Sequence, residues 1–276
     1  MLKIALPSRG GSMHALAWGP PERPVDIVFL HANGFNAFTY RSILEPLGAD
    51  LRVLALDQRG HGLSTLPMGI EGREDWLDLR DDLLAAFEVL GIENAVISGH
   101  SMGGTVSILA AATQPHIARS LVLFDPVIIL GPRPLRVAES PMSEAARRRR
   151  DTFDSRAQAF DSYRGRGAFR TWPDNILADY LVEGLRDLPN GSVTLSCTPA
   201  WEASGYAAHG HDSPAAIATL RCSTKIFKAA ANSTCHLKAG DIASPGGLVI
   251  EIVPETTHFL PMERPSLVRE ALRAAL

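Results

Sequence analysis

The chain alternates short apolar segments with longer stretches of helical periodicity, and this order restricts its fold more than any other feature. Continuously apolar segments rich in Val, Ile and Leu occur at 25–31, 51–57, 94–99, 119–125, 223–229 and 247–253. Such segments are typical of strands buried on both faces. Amphipathic stretches that predict helices occur at 38–48, 73–91, 101–114 and 262–275. This alternation predicts an α/β fold, with a mostly parallel central sheet and helices on both faces.

The alternation of strands and helices is interrupted in the middle of the chain. Near the start, KIAL and HALAW are separated by SRGGSM and predict a hairpin at one edge of the sheet. Residues 131–220 contain no strand-like run longer than GSVTLSC, which favours a helical lid inserted after strand 6. We therefore predict a core domain of residues 1–130 and 221–276, and a cap of residues 131–220. The cap would cover the carboxyl ends of the strands, where open α/β sheets bind ligands.

Charge and composition exclude several classes of partner. The chain has 27 Lys and Arg against 30 Asp and Glu, so it lacks the positive field that nucleic acid or an anionic membrane attracts. We expect Arg147–Arg150 to lie on a solvated helix. No signal-peptide pattern or membrane-spanning run occurs, and the three cysteines show no metal or redox spacing. These features predict a cytoplasmic protein with a small-molecule partner, and leave monomer and homodimer open.

The most informative motif is Gly99-His100-Ser101-Met102-Gly103, which follows a predicted strand and precedes a predicted helix. Glycines two residues before and two after the serine allow a sharp strand-to-helix turn that exposes the hydroxyl. A serine cap of an ordinary turn is the alternative. In this context we interpret Ser101 as a nucleophile.

A serine nucleophile needs a base, and the base needs a carboxylate that fixes its tautomer. His258 follows the last predicted strand and precedes the final helix, so it is the candidate base. Asp125 ends the strand 119–125 and completes the order Ser, Asp, His. The loop after strand 223–229 reads AANST and offers no acid. We favour Asp125, with Asp241 as the main alternative.

The remaining site predictions concern the oxyanion and the substrate. Backbone amides of Met102, at a helix N-terminus, and of Asn33, in the loop after strand 25–31, are the candidate oxyanion-hole donors. We predict no metal and no cofactor, since no histidine pair has a ligand spacing with a third partner. Candidate substrate contacts are His31, Phe35, His100, Phe169, Trp172, Trp201, Tyr206 and His209.

These motifs together resemble the α/β-hydrolase fold superfamily, of the lid-bearing esterase, lactonase and carbon–carbon hydrolase type. The resemblance rests on HANGF (31–35), DQRGHG (57–62) with Ser64, GHSMGG (99–104), Asp125-Pro126, His258-Phe259 and Glu263-Arg264-Pro265. It covers the chain outside about 131–220. It implies that Ser101 is the nucleophile, His258 the base and Asn33 an oxyanion donor, and that Asp57, Arg59 and His61 are structural.

Two departures from the family pattern matter. The family usually carries its acid after the strand equivalent to 223–229, and its oxyanion loop usually has Gly where this chain has Ala32. Family members that open epoxides or displace halide use an aspartate nucleophile, which Ser101 argues against. We expect hydrolysis of a small carboxylic ester, lactone or thioester. A carbon–carbon bond hydrolase with the same three residues and a non-catalytic ligand sensor are the alternatives.

Overall fold

The computed structural model describes residues 1–131 and 140–276. Its strands are β1 (Leu2–Leu6), β2 (Gly11–Trp18), β3 (Ile27–Leu30), β4 (Val53–Asp57), β5 (Ala95–His100), β6 (Ala118–Phe124), β7 (Thr152–Phe153), β8 (Leu185–Asp187), β9 (Val193–Leu195), β10 (Ser223–Ala229) and β11 (Leu248–Val253). Its helices are α1 (Arg41–Leu44), α2 (Leu77–Leu90), α3 (Met102–Thr113), α4 (Pro141–Arg147), α5 (Arg156–Tyr163), α6 (Asp174–Gly184), α7 (Pro199–Ala207), α8 (Ser213–Thr219), α9 (Leu260–Glu263) and α10 (Pro265–Ala274).

A central sheet runs in the order β1-β2-β4-β3-β5-β6-β10-β11. β1 pairs antiparallel with β2, and β2 pairs antiparallel with β4, whereas the pairs from β4 to β11 are parallel. Successive residues of a strand face opposite sides, so Ile27 and Val28 enter two different apolar clusters. Helices α2, α3 and α8 cover one face, while α1 and α10 contact each other on the other. The prediction of a mostly parallel sheet with helices on both faces is confirmed.

Two predicted helices are interrupted at prolines. The predicted helix 38–48 is instead two 3-10 turns, Ala37–Tyr40 and Glu45–Ala49, on either side of α1. Pro46 lies in the second turn, and its ring and missing N–H prevent a continuing α-helix. Similarly, the predicted helix 262–275 is divided into α9 and α10, because Pro265 begins a new helix.

The middle segment is not purely helical. Between residues 140 and 220 it holds α4 to α8, but also a small antiparallel sheet in the order β7-β9-β8. The predicted helical insertion therefore also contains strands: part of GSVTLSC forms β9, which a short turn at Asn190-Gly191 joins to β8. Residues 132–139, part of the predicted cap, lie outside the described residues. The boundary at 131–220 therefore stays a prediction.

The last strand differs from the other predicted core strands. β11 forms one edge of the sheet, and its Val249 and Ile252 side chains are exposed. Because an edge strand keeps part of its surface in water, this apolar run is not buried on both faces. In the described residues no helix combines the length and the apolarity needed to cross a membrane.

Candidate active site

Ser101 lies in a tight turn between β5 and α3, where its backbone has φ 54° and ψ −119°. This left-handed conformation is rare for a residue with a side chain. A Cβ atom on Gly99 would lie 2.4 Å from the Gly103 carbonyl carbon, and one on Gly103 would lie 2.3 Å from the Leu30 oxygen. Both flanking positions therefore need glycine, and the turn lifts the serine hydroxyl to the end of the sheet.

His258 reaches this hydroxyl from the loop between β11 and α9. Its Nε2 atom lies 3.0 Å from Ser101 Oγ, and its Nδ1 atom lies 2.6 Å from Asp125 Oδ2. A carboxylate can only accept, so Nδ1 carries the proton and the lone pair of Nε2 faces the serine. This is the geometry in which an imidazole removes a hydroxyl proton.

The Asp125 carboxylate is fully buried and accepts hydrogen bonds from Ala229, Ser233, Thr234 and His258. Oδ1 accepts from the Ala229 N–H at 2.9 Å and from the Ser233 hydroxyl at 2.6 Å. Oδ2 accepts from the Thr234 N–H at 3.0 Å, besides His258. Burial raises the pKa of Asp125, but the hydrogen bonds and the charge of His258 outweigh it and leave that pKa lowered. The loop after β10, which contains no acid of its own, thus supplies two of the hydrogen-bond donors to Asp125.

The alternative acid lies elsewhere. Asp241 is exposed, and its Oδ2 accepts from the Lys238 N–H at 2.8 Å within its own turn. In the described part of the chain, the structure pairs His258 with Asp125 and not with Asp241.

Asn33 and Met102, the predicted oxyanion donors, both line the cavity at Ser101. Among the described residues, neither backbone N–H has a hydrogen-bond acceptor. The main-chain groups on either side of the Asn33 amide are occupied: the Ala32 oxygen accepts from His31 Nδ1 at 2.8 Å, and the Gly34 N–H donates to His61 Nε2 at 3.0 Å. Two amides are therefore available for a ligand oxygen beside the serine.

His31 and His100 do not reach this cavity, contrary to the predicted substrate contacts. Both are buried and bonded to backbone: His31 Nε2 accepts from the Gln58 N–H at 2.9 Å, and His100 Nε2 lies 2.7 Å from the His258 oxygen. Burial lowers the pKa of His31 to about 4 and that of His100 to about 3, so both stay neutral. They organise loops behind the cavity.

The cavity at Ser101 has a volume of about 330 Å³. Its walls are mainly apolar, and it is lined by Ala32, Asn33, Phe35, Trp76, Ser101, Met102, Val127, Ile129, Ser140, Met142, Tyr206, His209, Ser233, Thr234, His236, His258 and Phe259. Of the other predicted substrate contacts, Phe35, Tyr206 and His209 line this cavity. Ser140, Met142, Tyr206 and His209 come from the middle segment, so that segment forms part of the wall.

The two predicted tryptophans lie beside the cavity rather than in it. Trp172 packs edge-on against Phe35, with ring centroids 5.0 Å apart. Trp201 donates from its indole nitrogen to the Arg59 oxygen at 3.0 Å and lies under the Arg73 guanidinium. Both are core aromatics, because their large surfaces are used up in packing. Phe169 lines a neighbouring cavity, of about 460 Å³, instead.

Several lining residues were missed by the sequence analysis. Trp76 precedes α2, and Ser233, Thr234 and His236 belong to the loop after β10. Only the position of that loop, at the carboxyl end of a parallel strand, could have marked it in advance. Nothing in the sequence distinguishes Trp76 from a core tryptophan.

Two further features of the sequence are the run of four arginines and the possible metal ligands. The expectation that Arg147–Arg150 lie on one solvated helix was wrong, because α4 ends at Arg147. Arg148 is exposed and pairs with Glu144, whereas Arg149 is largely buried and pairs with Glu202 at 2.8 Å. Its distant partner in α7 could not be inferred from the sequence. No group of three or more possible metal ligands occurs within residues 1–131 and 140–276.

The DQRGHG segment holds the surrounding loops. Asp57 accepts from the Ala37 and Leu63 amides at 2.8 and 3.0 Å. Arg59 forms two hydrogen bonds to the Asp82 carboxylate, at 2.6 and 2.7 Å. Burial raises the pKa of Asp57 to about 6, because two amide donors offset only part of the desolvation. These contacts agree with a structural role for Asp57 and Arg59.

Comparison with known proteins gives consistent matches. A sequence model of the alpha/beta hydrolase family matches residues 27–271. The AB hydrolase superfamily protein YfhM of Bacillus subtilis is 38% identical over 122 residues, which cover 43% of this chain and 41% of that protein. The 2-(acetamidomethylene)succinate hydrolase of Mesorhizobium japonicum is 34% identical over 100 residues, 36% of this chain and 34% of that enzyme. The matches thus span about a third to two fifths of these relatives.

A solved structure resembles the whole chain. The crystal structure of E-2-(acetamidomethylene)succinate hydrolase superposes with a TM-score of 0.76 and covers 99% of this chain and 97% of its own. The two sequences are 19% identical in that superposition, so the likeness concerns the fold.

Proposed function

Because the chain belongs to the alpha/beta hydrolase family, we propose that it is a serine hydrolase that cleaves a small carboxylic ester, lactone or thioester through an acyl-enzyme on Ser101. The observation that carries the proposal is the pair of contacts of His258, 3.0 Å to Ser101 Oγ and 2.6 Å to Asp125 Oδ2. A purely binding protein has no physical need for such a contact pair.

In the first half of the reaction, Ser101 Oγ attacks the carbonyl carbon while its proton passes to His258 Nε2. The carbonyl electron pair moves to the oxygen, which receives hydrogen bonds from the Asn33 and Met102 amides. When the oxyanion collapses, the bond to the leaving alkoxide breaks, and His258 gives that oxygen its proton. An acyl group remains on Ser101.

In the second half, water replaces the alcohol. His258 Nε2 takes a proton from the water as its oxygen attacks the acyl carbon, and the bond to Ser101 Oγ then breaks. The proton on His258 returns to Ser101, which releases a carboxylic acid and regenerates the enzyme. Asp125 stabilises the imidazolium in both halves without taking its proton.

The cavity supports an acyl group that is compact and mostly apolar. A volume of about 330 Å³ lies at the small end of the range for ligand sites. Phe35, Val127, Ile129 and Phe259 contribute apolar surface, and His258 brings a polar group directly to Ser101. The cap assignment of the middle segment is part of this proposal, since four of its residues complete the wall.

Turnover of p-nitrophenyl acetate, butyrate and longer esters tests the proposal directly. We expect a burst of p-nitrophenol equal to the enzyme concentration, and labelling of Ser101 by a fluorophosphonate. In Ser101→Ala both signals should disappear, and the thermal unfolding midpoint should stay within a few degrees of wild type. Thr113→Ala removes the hydroxyl of an exposed threonine at the end of α3; it is the control and should keep the burst.

Two results would contradict the proposal. Turnover of diketones without any ester burst would favour carbon–carbon hydrolysis by the same residues. A folded wild-type protein that neither turns over esters nor reacts with fluorophosphonate would favour a ligand sensor.

A further inference from the structure

A buried chain of hydrogen bonds joins the loop that carries Asn33 to the loop that carries His258. The Ala32 N–H lies 3.2 Å from the Tyr40 hydroxyl oxygen. The same hydroxyl lies 2.7 Å from His100 Nδ1. His100 Nε2 lies 2.7 Å from the backbone oxygen of His258. The chain thus links the residue before one proposed oxyanion donor with the proposed base itself.

Only one arrangement of protons satisfies these contacts. The His258 oxygen can only accept, so His100 carries its proton on Nε2. A neutral His100 then offers a lone pair at Nδ1, to which the Tyr40 hydroxyl must donate. The Tyr40 oxygen remains free to accept from the Ala32 N–H. Every donor is used once, and all the bonds run in one direction along the chain.

The surroundings keep both side chains in these states. Tyr40 and His100 are fully buried. Burial, together with the nearby His258, lowers the pKa of His100 to about 3, so the neutral form is kept. Burial also raises the pKa of Tyr40 above its usual range. The Tyr40 ring packs on Phe29, with centroids 4.7 Å apart, so its position does not depend on the hydroxyl alone.

We propose that Tyr40 and His100 are positioning residues that fix the oxyanion loop and His258 relative to each other for acyl transfer at Ser101. The inference rests on the proposed function and extends it to two residues whose side chains do not line the cavity. His100 also follows Gly99 directly and precedes Ser101, so one short segment holds the nucleophile and ties both loops to it.

The loop geometry explains why this matters for the reaction. The N–H of Asn33 belongs to the same planar peptide as the Ala32 oxygen, and points away from it. Holding the Ala32 N–H with Tyr40 and the Ala32 oxygen with His31 therefore sets the direction of the Asn33 N–H. At the other end, the His100 bond holds the backbone from which the His258 ring extends. Small displacements of either group from a reacting carbonyl are costly in rate.

Three variants test the chain, assayed with p-nitrophenyl acetate and normalised to Ser101 sites titrated with a fluorophosphonate. Tyr40→Phe keeps the ring and removes the hydroxyl, so kcat should fall about 10-fold with KM little changed. His100→Leu removes both bonds, and kcat should fall about 100-fold. His100→Gln restores a donor near Nε2 and should recover most of that loss.

Tyr180→Phe is the matched control, since Tyr180 is an equally buried tyrosine whose hydroxyl bonds to Arg149 at 2.7 Å. Its kcat per titrated site should match wild type. If the chain only stabilises the fold, Tyr40→Phe will lower the unfolding midpoint and the number of titrated sites, but not kcat per site. That result, or equal kcat in His100→Leu and His100→Gln, overturns the inference.

The outcome is separable from failure of the proposed function. A wild-type protein without burst or labelling refutes both together. A wild-type protein with a burst, beside a Tyr40→Phe variant of equal kcat, refutes the positioning role alone.

Discussion

At the scale of single residues, the site places two of its three central members in strained backbone. Ser101 and Asp125 have φ values of 54° and 44°, a region that costs about 1–3 kcal/mol for such residues. Each is held by the neighbouring strand: the Ser101 N–H donates to the Phe124 oxygen at 3.0 Å, and the Asp125 N–H donates to the Phe227 oxygen at 2.8 Å. The sheet therefore stabilises both turns, which lie next to each other at the carboxyl ends of β5 and β6.

The identity of the acid is the prediction that belongs to this scale. Asp125→Asn keeps the shape of the side chain but weakens its control of the His258 tautomer, so kcat should fall about 10⁴-fold. Asp241→Asn is the control and should leave kcat unchanged, because that carboxylate is exposed and bonds within its own turn. Steady-state kinetics on the ester panel measure both. Equal losses in the two variants would refute the assignment of Asp125.

At the scale of elements, the sequence predicted what depends on local pattern and missed what depends on distant contacts. Apolar runs and the glycines around Ser101 were sufficient to predict the strands and the turn after β5. Proline positions were visible, but their effect on the helices at 38–48 and 262–275 was underestimated. Trp172 and Trp201 illustrate the limit: an aromatic residue of the middle segment can line a cavity or pack beside it, and the element that it packs against decides which.

Helix α7 shows such a distant contact at the oxyanion loop. The Asn33 side chain donates from Nδ2 to the Glu202 oxygen at 2.9 Å. A Cβ atom on Gly205 would lie 2.7 Å from the Asn33 side-chain amide. The loop therefore rests on a helix of the middle segment.

Gly205→Ala should accordingly lower activity and change stability little. Alanine favours a helix over glycine by about 1 kcal/mol, which offsets part of the clash with Asn33, so unfolding should change little. The displaced loop should lower kcat/KM about 10- to 100-fold. Gly69→Ala is the control, because a Cβ atom there meets nothing within 4 Å. Unchanged kcat/KM in Gly205→Ala would show that the loop tolerates this shift.

At the scale of the whole molecule, several buried histidines make the fold sensitive to acid. The pKa values of His31 and His100 are lowered to about 4 and about 3 by burial, against about 6.5 in an unfolded chain. Burial also lowers the pKa of His61 well below its usual value. Below pH 6.5 these histidines bind protons in the unfolded chain but not in the folded protein. The free energy of unfolding therefore falls as pH decreases from 6.5 towards 4.

The expected loss can be measured by urea unfolding. Between pH 7 and pH 5 each of His31 and His100 should remove about 2 kcal/mol from the free energy of unfolding. In His100→Gln the free energy of unfolding should fall less between pH 7 and pH 5, because one buried histidine no longer contributes. His116→Gln, at an exposed turn, should leave that fall unaltered. Unfolding free energies that stay constant from pH 7 to pH 5 would contradict the neutral, buried state of these side chains.

The distribution of the three central residues along the chain also has a consequence for biosynthesis. Ser101 and His258 are 157 positions apart, and His258 follows the edge strand β11, which pairs with β10. A growing polypeptide on the ribosome therefore holds its serine and aspartate long before the imidazole has been translated. Chemical competence should arise abruptly, once His258 has been translated and can fold onto the sheet, and nascent chains that stop short of β11 should be inert towards esters.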